Sequence, residues 1–139
     1  MNDGDTQLVQ QSWEKIEFVK EVAAELFYER LFELDPPLRS LFPPELRERQ
    51  QKFGQFVGAT VRGLDHLDAL RPVVRELGIR HPIFGDDERH HASVQSALLW
   101  ALEKSLRREF TPQVESAWIR TYGVLSKTMR DAATAPRAA

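Results

Sequence analysis

The chain has 139 residues, 42% hydrophobic and 29% charged, with a formal net charge of −2. This is the balance of a soluble domain with a sizeable core. Its 14 arginines and 5 lysines are scattered, which offers no field for nucleic acid. The absence of cysteine excludes disulfides, thiolate catalysis, zinc–thiolate sites, iron–sulfur clusters and thioether-linked haem.

Strand alternation is absent, and helical periodicity covers nearly the whole chain, so the fold class reads as all-α. The acidic start, Met1-Asn2-Asp3-Gly4-Asp5, is no signal peptide. No apolar run approaches the roughly 18 residues of a membrane helix. These features fit the cytoplasm, and neither membrane nor nucleic-acid partners are expected.

The first helix is expected to begin after Asp5 or Thr6, either of which can cap it, with Val9, Trp13 and Ile16 inward. A second runs from about Val19 to Leu34, with Val22, Ala23, Leu26, Phe27 and Leu31 apolar. Asp35-Pro36-Pro37 ends it and opens a short turn towards Leu41-Phe42. A long helix from about Pro44 to Leu64 turns Leu46, Gln50, Phe53, Val57, Val61 and Leu64 inward. Gly54 and Gly58, one turn apart within it, each cost about 1 kcal/mol against alanine, which points to a closely crossing helix.

The next helix spans about Leu67 to Arg80 and a corner covers Pro82 to Asp87. Another helix then runs from about Asp87 to Glu109 with His91, Val94, Leu98, Ala101 and Leu102 inward. The last opens at Thr111-Pro112 and carries Val114, Trp118, Tyr122, Leu125 and Met129 on one face, before a frayed tail. One domain is expected over residues 1–139, with its core at about 6–130 and a disordered tail at 131–139.

No nucleophile elbow, phosphate-cradling loop or dinucleotide-binding glycine pattern is present. His90 and His91 are adjacent, so on a helix they point about 100° apart and chelate one ion poorly. His81 stands out. Leu70, Val74, Leu77 and His81 follow one another at steps of four, three and four, and Pro82 stops the helix behind them. An inward imidazole there is a packed core histidine, a metal ligand or an axial ligand of haem iron.

Four fragments, taken in order, settle which of these to expect. Phe27-Tyr28-Glu29-Arg30-Leu31-Phe32, Leu41-Phe42-Pro43, Leu77-Gly78-Ile79-Arg80-His81 and Ala117-Trp118-Ile119-Arg120-Thr121-Tyr122-Gly123-Val124 resemble the bacterial single-domain haemoglobins. They are similar also to the haem domain of flavohaemoglobins. The resemblance runs from about Leu8 to Met129. It implies a globin fold, a three-over-three helical sandwich, holding non-covalent haem b, with His81 as the proximal iron ligand. It also implies that Phe42 packs on the haem plane, that Phe53, Val94 and Leu77 line the pocket, and that Tyr28 points its hydroxyl at the bound gas. A phenol suits that place because it donates to a ligand carrying partial negative charge.

Counting back from His81 without gaps puts Arg49 at the family's distal glutamine or histidine, with Gln50 beside it; both stay candidates. Lys52 falls where a cation often meets a haem propionate, and an exposed lysine is the equal alternative. The position at which flavohaemoglobin haem domains place a tyrosine beside the proximal histidine is His91 here. Their glutamate falls near Ala133. The chain carries no flavin or NAD domain. The implied function is reversible binding of dioxygen and other diatomic gases such as carbon monoxide and nitric oxide. Enzymatic activity would be at most nitric-oxide dioxygenation, with electrons from a separate flavin/NADH reductase. The alternative is a haem-based gas or redox sensor acting through a partner protein.

Overall fold

A computed structural model describes residues 2–42, 45, 47–80 and 88–134. The described residues form six α-helices and several short 3₁₀ turns, with no strand among them. Helix α1 spans Asp3–Ile16, α2 Lys20–Leu34, α3 Arg47–Arg62, α4 Leu67–Arg80, α5 Glu88–Leu106 and α6 Pro112–Thr134. Their packing makes two layers of three, α1, α3 and α4 over α2, α5 and α6. In it α4 and α1 lie on α6, α2 on α3, and α2 beside α5.

Helix α1 starts earlier than the sequence suggests. Asn2 accepts from the Asp5 backbone N–H at 2.8 Å, and the Asp5 carboxylate returns a bond to the Asn2 N–H at 3.2 Å. This reciprocal capping box satisfies two donors and places the cap at Asn2, not at Asp5 or Thr6. Asp5 also accepts from Arg120 on α6 through both carboxylate oxygens, at 2.8 and 2.6 Å.

At the other end, α6 continues to Thr134, so residues 131–134, expected in the tail, are helical. Ala132 and Ala133 are strong helix formers and carry the last turn onward. Helix α5 ends at Leu106, three residues short of expectation. Arg107 takes a φ of 54°, a left-handed conformation that breaks the α pattern and leaves Arg107–Glu109 as a 3₁₀ turn. Val22, one of the apolar residues of α2, is 53% exposed, because α2 carries apolar residues on several faces and packing buries only the face with Ala23, Ala24, Phe27, Tyr28 and Leu31.

The core has two parts. One gathers Val9, Trp13 and Ile16 of α1 with Val61, Leu102 and Trp118, and the Trp118 indole donates to Ser12 at 2.9 Å. The other gathers Phe27, Tyr28, Leu31 and Phe42 with Val74, Val94 and Tyr122. The second is where the candidate site lies.

Gly54 earns its place by close approach. A β-carbon there would stand 3.3 Å from the Lys20 carbonyl oxygen, so the helix-propensity cost is offset by letting α3 cross the start of α2 closely.

Candidate functional site

Tyr28 is 1% exposed on the inner face of α2. Four phenylalanines surround its ring: Phe27 with centroids 5.1 Å apart, Phe42 at 5.5 Å and Phe53 at 5.6 Å, all edge to face, and Phe32 at 6.0 Å. They reach it from three elements. Phe27 and Phe32 come from the same helix and Phe53 from α3. Phe42 comes from the end of the 3₁₀ turn Pro36–Leu41, which the double proline starts. Edge-to-face contacts of this kind fix ring orientation beyond plain burial.

The Tyr28 hydroxyl makes no hydrogen bond to another described residue. Burial pushes its pKa up from 10.0 to about 12, against a smaller opposing pull from the Arg49 cation. The result is a proton donor held ready among aromatic rings, with nothing in the described residues to receive its proton.

An apolar cavity adjoins this cluster. It opens to solvent, and its accessible walls are apolar throughout. Phe53, Phe56 and Val57 of α3, Val74 of α4, Val94 of α5 and Tyr122 of α6 are among its walls. Helices α3 and α4 do not pack closely on each other here; each leans on other helices and leaves the gap. Walls of this character suit a largely apolar group, whose burial is worth about 25 cal/mol per Å2.

The residues expected at the site fall as follows. Phe42 and Val94 are buried, at 6% and 2% exposure, and Phe53 is half-buried. Arg49 is exposed on α3 yet close enough for its charge to act on Tyr28, and Gln50 is half-buried beside it. Lys52 is exposed and pairs with Glu48 at 2.9 Å, one turn away. Leu77 lies within α4, with its side chain outside the described residues, and His81 lies outside them as well.

His91 is 4% exposed and its Nδ1 lies 3.2 Å from the Tyr122 hydroxyl, which also lies 3.4 Å from the His91 carbonyl oxygen. His90 turns instead to Asp35, with Nδ1 2.9 Å from the carboxylate. The two histidines thus serve different neighbours. No cluster of potential metal ligands occurs among the described residues.

Asp35 escaped the sequence reading. It is 5% exposed, follows the last residue of α2, and accepts from Ser93 at 3.2 Å as well as meeting His90. It thereby ties the turn that leads to Phe42 to the first part of α5. The signal available was an acidic residue directly before Pro36-Pro37, a frequent turn opener. Its partners, 55 and 58 residues away, carry no local mark.

Comparison with known proteins agrees with this geometry. The sequence profile of the globin family matches residues 25–129. Neuroglobins of Chaenocephalus aceratus and Danio rerio are each 29% identical over 93% of this chain and 90% of their own length. Among solved structures, an engineered carbene transferase from Rhodothermus marinus, provisionally named a nitric oxide dioxygenase, superposes with a TM-score of 0.82. It is 26% identical over 96% of this chain and 93% of its own. With a matching profile over most of its length and the two-layer helical architecture of that relative, the chain belongs to the globin family.

Proposed function

We propose that the chain is a haem-b globin that reversibly binds dioxygen and related diatomic gases. The observation that carries this reading is Tyr28, a buried phenol without a hydrogen-bonding partner among the described residues, set beside an apolar cavity. A phenol donor set at the edge of an apolar space in this way is matched when a ligand accepts from it.

The residues present fit the cofactor. The cavity between α3, α4, α5 and α6 is apolar and walled in part by Val94, and Phe42 is buried in the same core cluster. His81 follows directly on Arg80, the last residue of α4, and would hold the iron. When bound, haem would supply an iron able to take up the gas. This chain's own residues do the rest. Tyr28 donates to a gas that gathers negative charge, and its raised pKa keeps that proton in place at neutral pH. Phe42 and Phe53 exclude water from around it. Arg49 or Gln50 adds a second polar group on the α3 side. His91, held by Tyr122, stands in the first turns of α5 and shapes the opposite side. Residues 1–139 act as one globin domain with its core at about 6–130, in the cytoplasm. Among the described residues no helix is long and apolar enough to cross a membrane.

A second activity, nitric-oxide dioxygenation with electrons from a separate flavin/NADH reductase, is favoured by the name of the Rhodothermus marinus relative. Absorption spectra of the purified protein in ferric, ferrous and carbonmonoxy forms test the primary reading. Haem bands that shift on adding carbon monoxide support it. A colourless protein that takes up no added haem overturns it.

A further inference from the structure

The indole N–H of Trp13 is buried and meets no acceptor among the described residues. Its neighbour Trp118 donates to Ser12 at 2.9 Å; Trp13 has no such partner. A buried donor left unmatched is costly and calls for an explanation.

The atoms around that N–H are brought together at Gly58 of α3. A β-carbon on Gly58 would stand 3.3 Å from Trp13 Nε1, 3.2 Å from a guanidinium nitrogen of Arg62 and 3.5 Å from Glu17 Oε1. The missing side chain thus leaves a small place ringed by two nitrogen donors and one carboxylate acceptor. Glu17 and Arg62 pair across it at 2.8 Å. The Arg62 side chain is 61% exposed, and an ion pair this open to water holds weakly, so its end can swing outward to admit an atom.

The same three residues wall a space between α1 and α3. It measures about 440 Å3, opens on one side, and has Gln10, Glu14 and Val61 as its other walls. Small-molecule sites typically measure about 300–1,000 Å3.

The chemistry of this space selects its guest. An anion finds no spare cation in its walls, because Glu17 already neutralises Arg62. An ammonium at Gly58 would face two donors. A hydroxyl suits the place: it accepts from two donors and gives its own proton to a carboxylate. Farther out, Glu14 pairs with no cation among the described residues. Its carboxylate and the Gln10 amide oxygen can accept further hydroxyls, and Val61 offers an apolar surface to carbon-bound hydrogens.

We propose that this space binds a small uncharged polyhydroxylated molecule, a monosaccharide or cyclic polyol, with one hydroxyl seated at Gly58 between Trp13, Glu17 and Arg62. The site needs neither haem nor gas and stands or falls apart from the function proposed above.

Isothermal titration calorimetry of the purified full chain with glucose and with myo-inositol, and crystals soaked in each, test this. Saturable binding of at least one probe is expected, with a hydroxyl oxygen within hydrogen-bonding distance of Trp13 Nε1 in the crystal. Gly58→Ala sets a methyl group where that hydroxyl sits and should weaken binding by about tenfold or more. Arg62→Met, at the exposed rim, removes one of the two donors and should weaken it by about tenfold; it serves alone if Gly58→Ala fails to fold by circular dichroism. Absence of calorimetric binding of both probes overturns the proposal, as does binding that the folded variants leave unchanged. A probe seated elsewhere in the crystal overturns it too. So does a crystal in which Glu17 or a lone water takes the Trp13 proton and the probe is absent, or one in which acetate or ethylamine occupies the Gly58 place in preference to either probe.

Discussion

Tyr28 and Phe53 meet edge to face across the crossing of α2 and α3, with centroids 5.6 Å apart and planes 67° from parallel. The contact fixes the phenol ring and leaves its hydroxyl as a donor without a described acceptor. Tyr28→Phe keeps the ring and removes only the donor. A hydrogen bond to a charge-bearing acceptor contributes about 1.5–3 kcal/mol, and each 1.4 kcal/mol is about tenfold. Dioxygen dissociation should therefore speed up by about ten- to a hundredfold, with carbon monoxide dissociation much less affected. Stopped-flow rates within twofold of the natural protein would reduce Tyr28 to packing.

The same burial makes a pH prediction. With its pKa raised from 10.0 to about 12, Tyr28 keeps its proton in the folded protein where a free tyrosine would begin to lose it. Its neutral form is thus favoured by folding. That contribution to stability is complete below pH 10 and is lost as pH rises through about 12. Dioxygen dissociation should show no tyrosine-dependent change up to about pH 10. A ligand-release step near neutral pH that disappears in Tyr28→Phe would contradict this.

His81 carries the proposed iron ligation on sequence alone. His81→Ala should lose most of its haem or change its ferrous spectrum, whereas His66→Ala and His90→Ala should keep both. Haem content and spectra equal to the natural protein in His81→Ala would move the ligand elsewhere.

What could be read from the sequence was what local pattern encodes. Tyr28, Phe42 and Phe53 stand out as large rings at inward positions of short periodic runs, and the structure gathers all three. The Gly54 crossing was legible because glycine inside a helix needs a reason, and the Lys20 carbonyl supplies it. Helix ends were less legible. Asn2, not Asp5, caps α1 because the two form a reciprocal pair, and either residue type makes a good cap. Long-range polar ties were invisible. Nothing in the neighbourhood of Asp35 announces His90, and nothing near Asp5 announces Arg120, 115 residues on. Arg49 and Gln50 remain paired candidates for a physical reason. Neighbours on a helix differ by about 100° in direction, and here the exposed one has the charge while the half-buried one has the closer packing.

The Asp5–Arg120 pair predicts how the protein fails in acid. Asp5 is buried and accepts two bonds from the guanidinium. Those bonds, with the Asn2 N–H, hold its pKa down from 3.8 to about 2 despite the cost of burial. A depressed carboxylate contributes stability that is complete above its unfolded pKa and is lost as pH falls through the folded one. Asp5 should therefore help to hold α1 on α6 down to about pH 4 and release it between about pH 4 and 2. Acid unfolding followed by circular dichroism should lose part of its steepness in that window in Asp5→Asn. An identical acid profile would show that the pair adds nothing.

Gly54 gives a graded test of the α2–α3 crossing that brings Phe53 to Tyr28. Gly54→Ala gains about 1 kcal/mol of helix propensity, but its new β-carbon lies 3.3 Å from a backbone oxygen that cannot swing away. The two effects oppose, so thermal stability should change little. Gly54→Leu adds bulk with no further propensity gain and forces the helices apart, which typically costs about 1–3 kcal/mol. Displacing α3 also carries Phe53 away from Tyr28, so Gly54→Leu should alter dioxygen dissociation although residue 54 makes no contact with the gas. Denaturation midpoints ordered Ala near natural and Leu well below, with ligand kinetics disturbed only in Leu, would tie the crossing to the site. A Leu variant as stable as the natural protein, with unchanged kinetics, would show that the crossing has slack and does not set the position of Phe53.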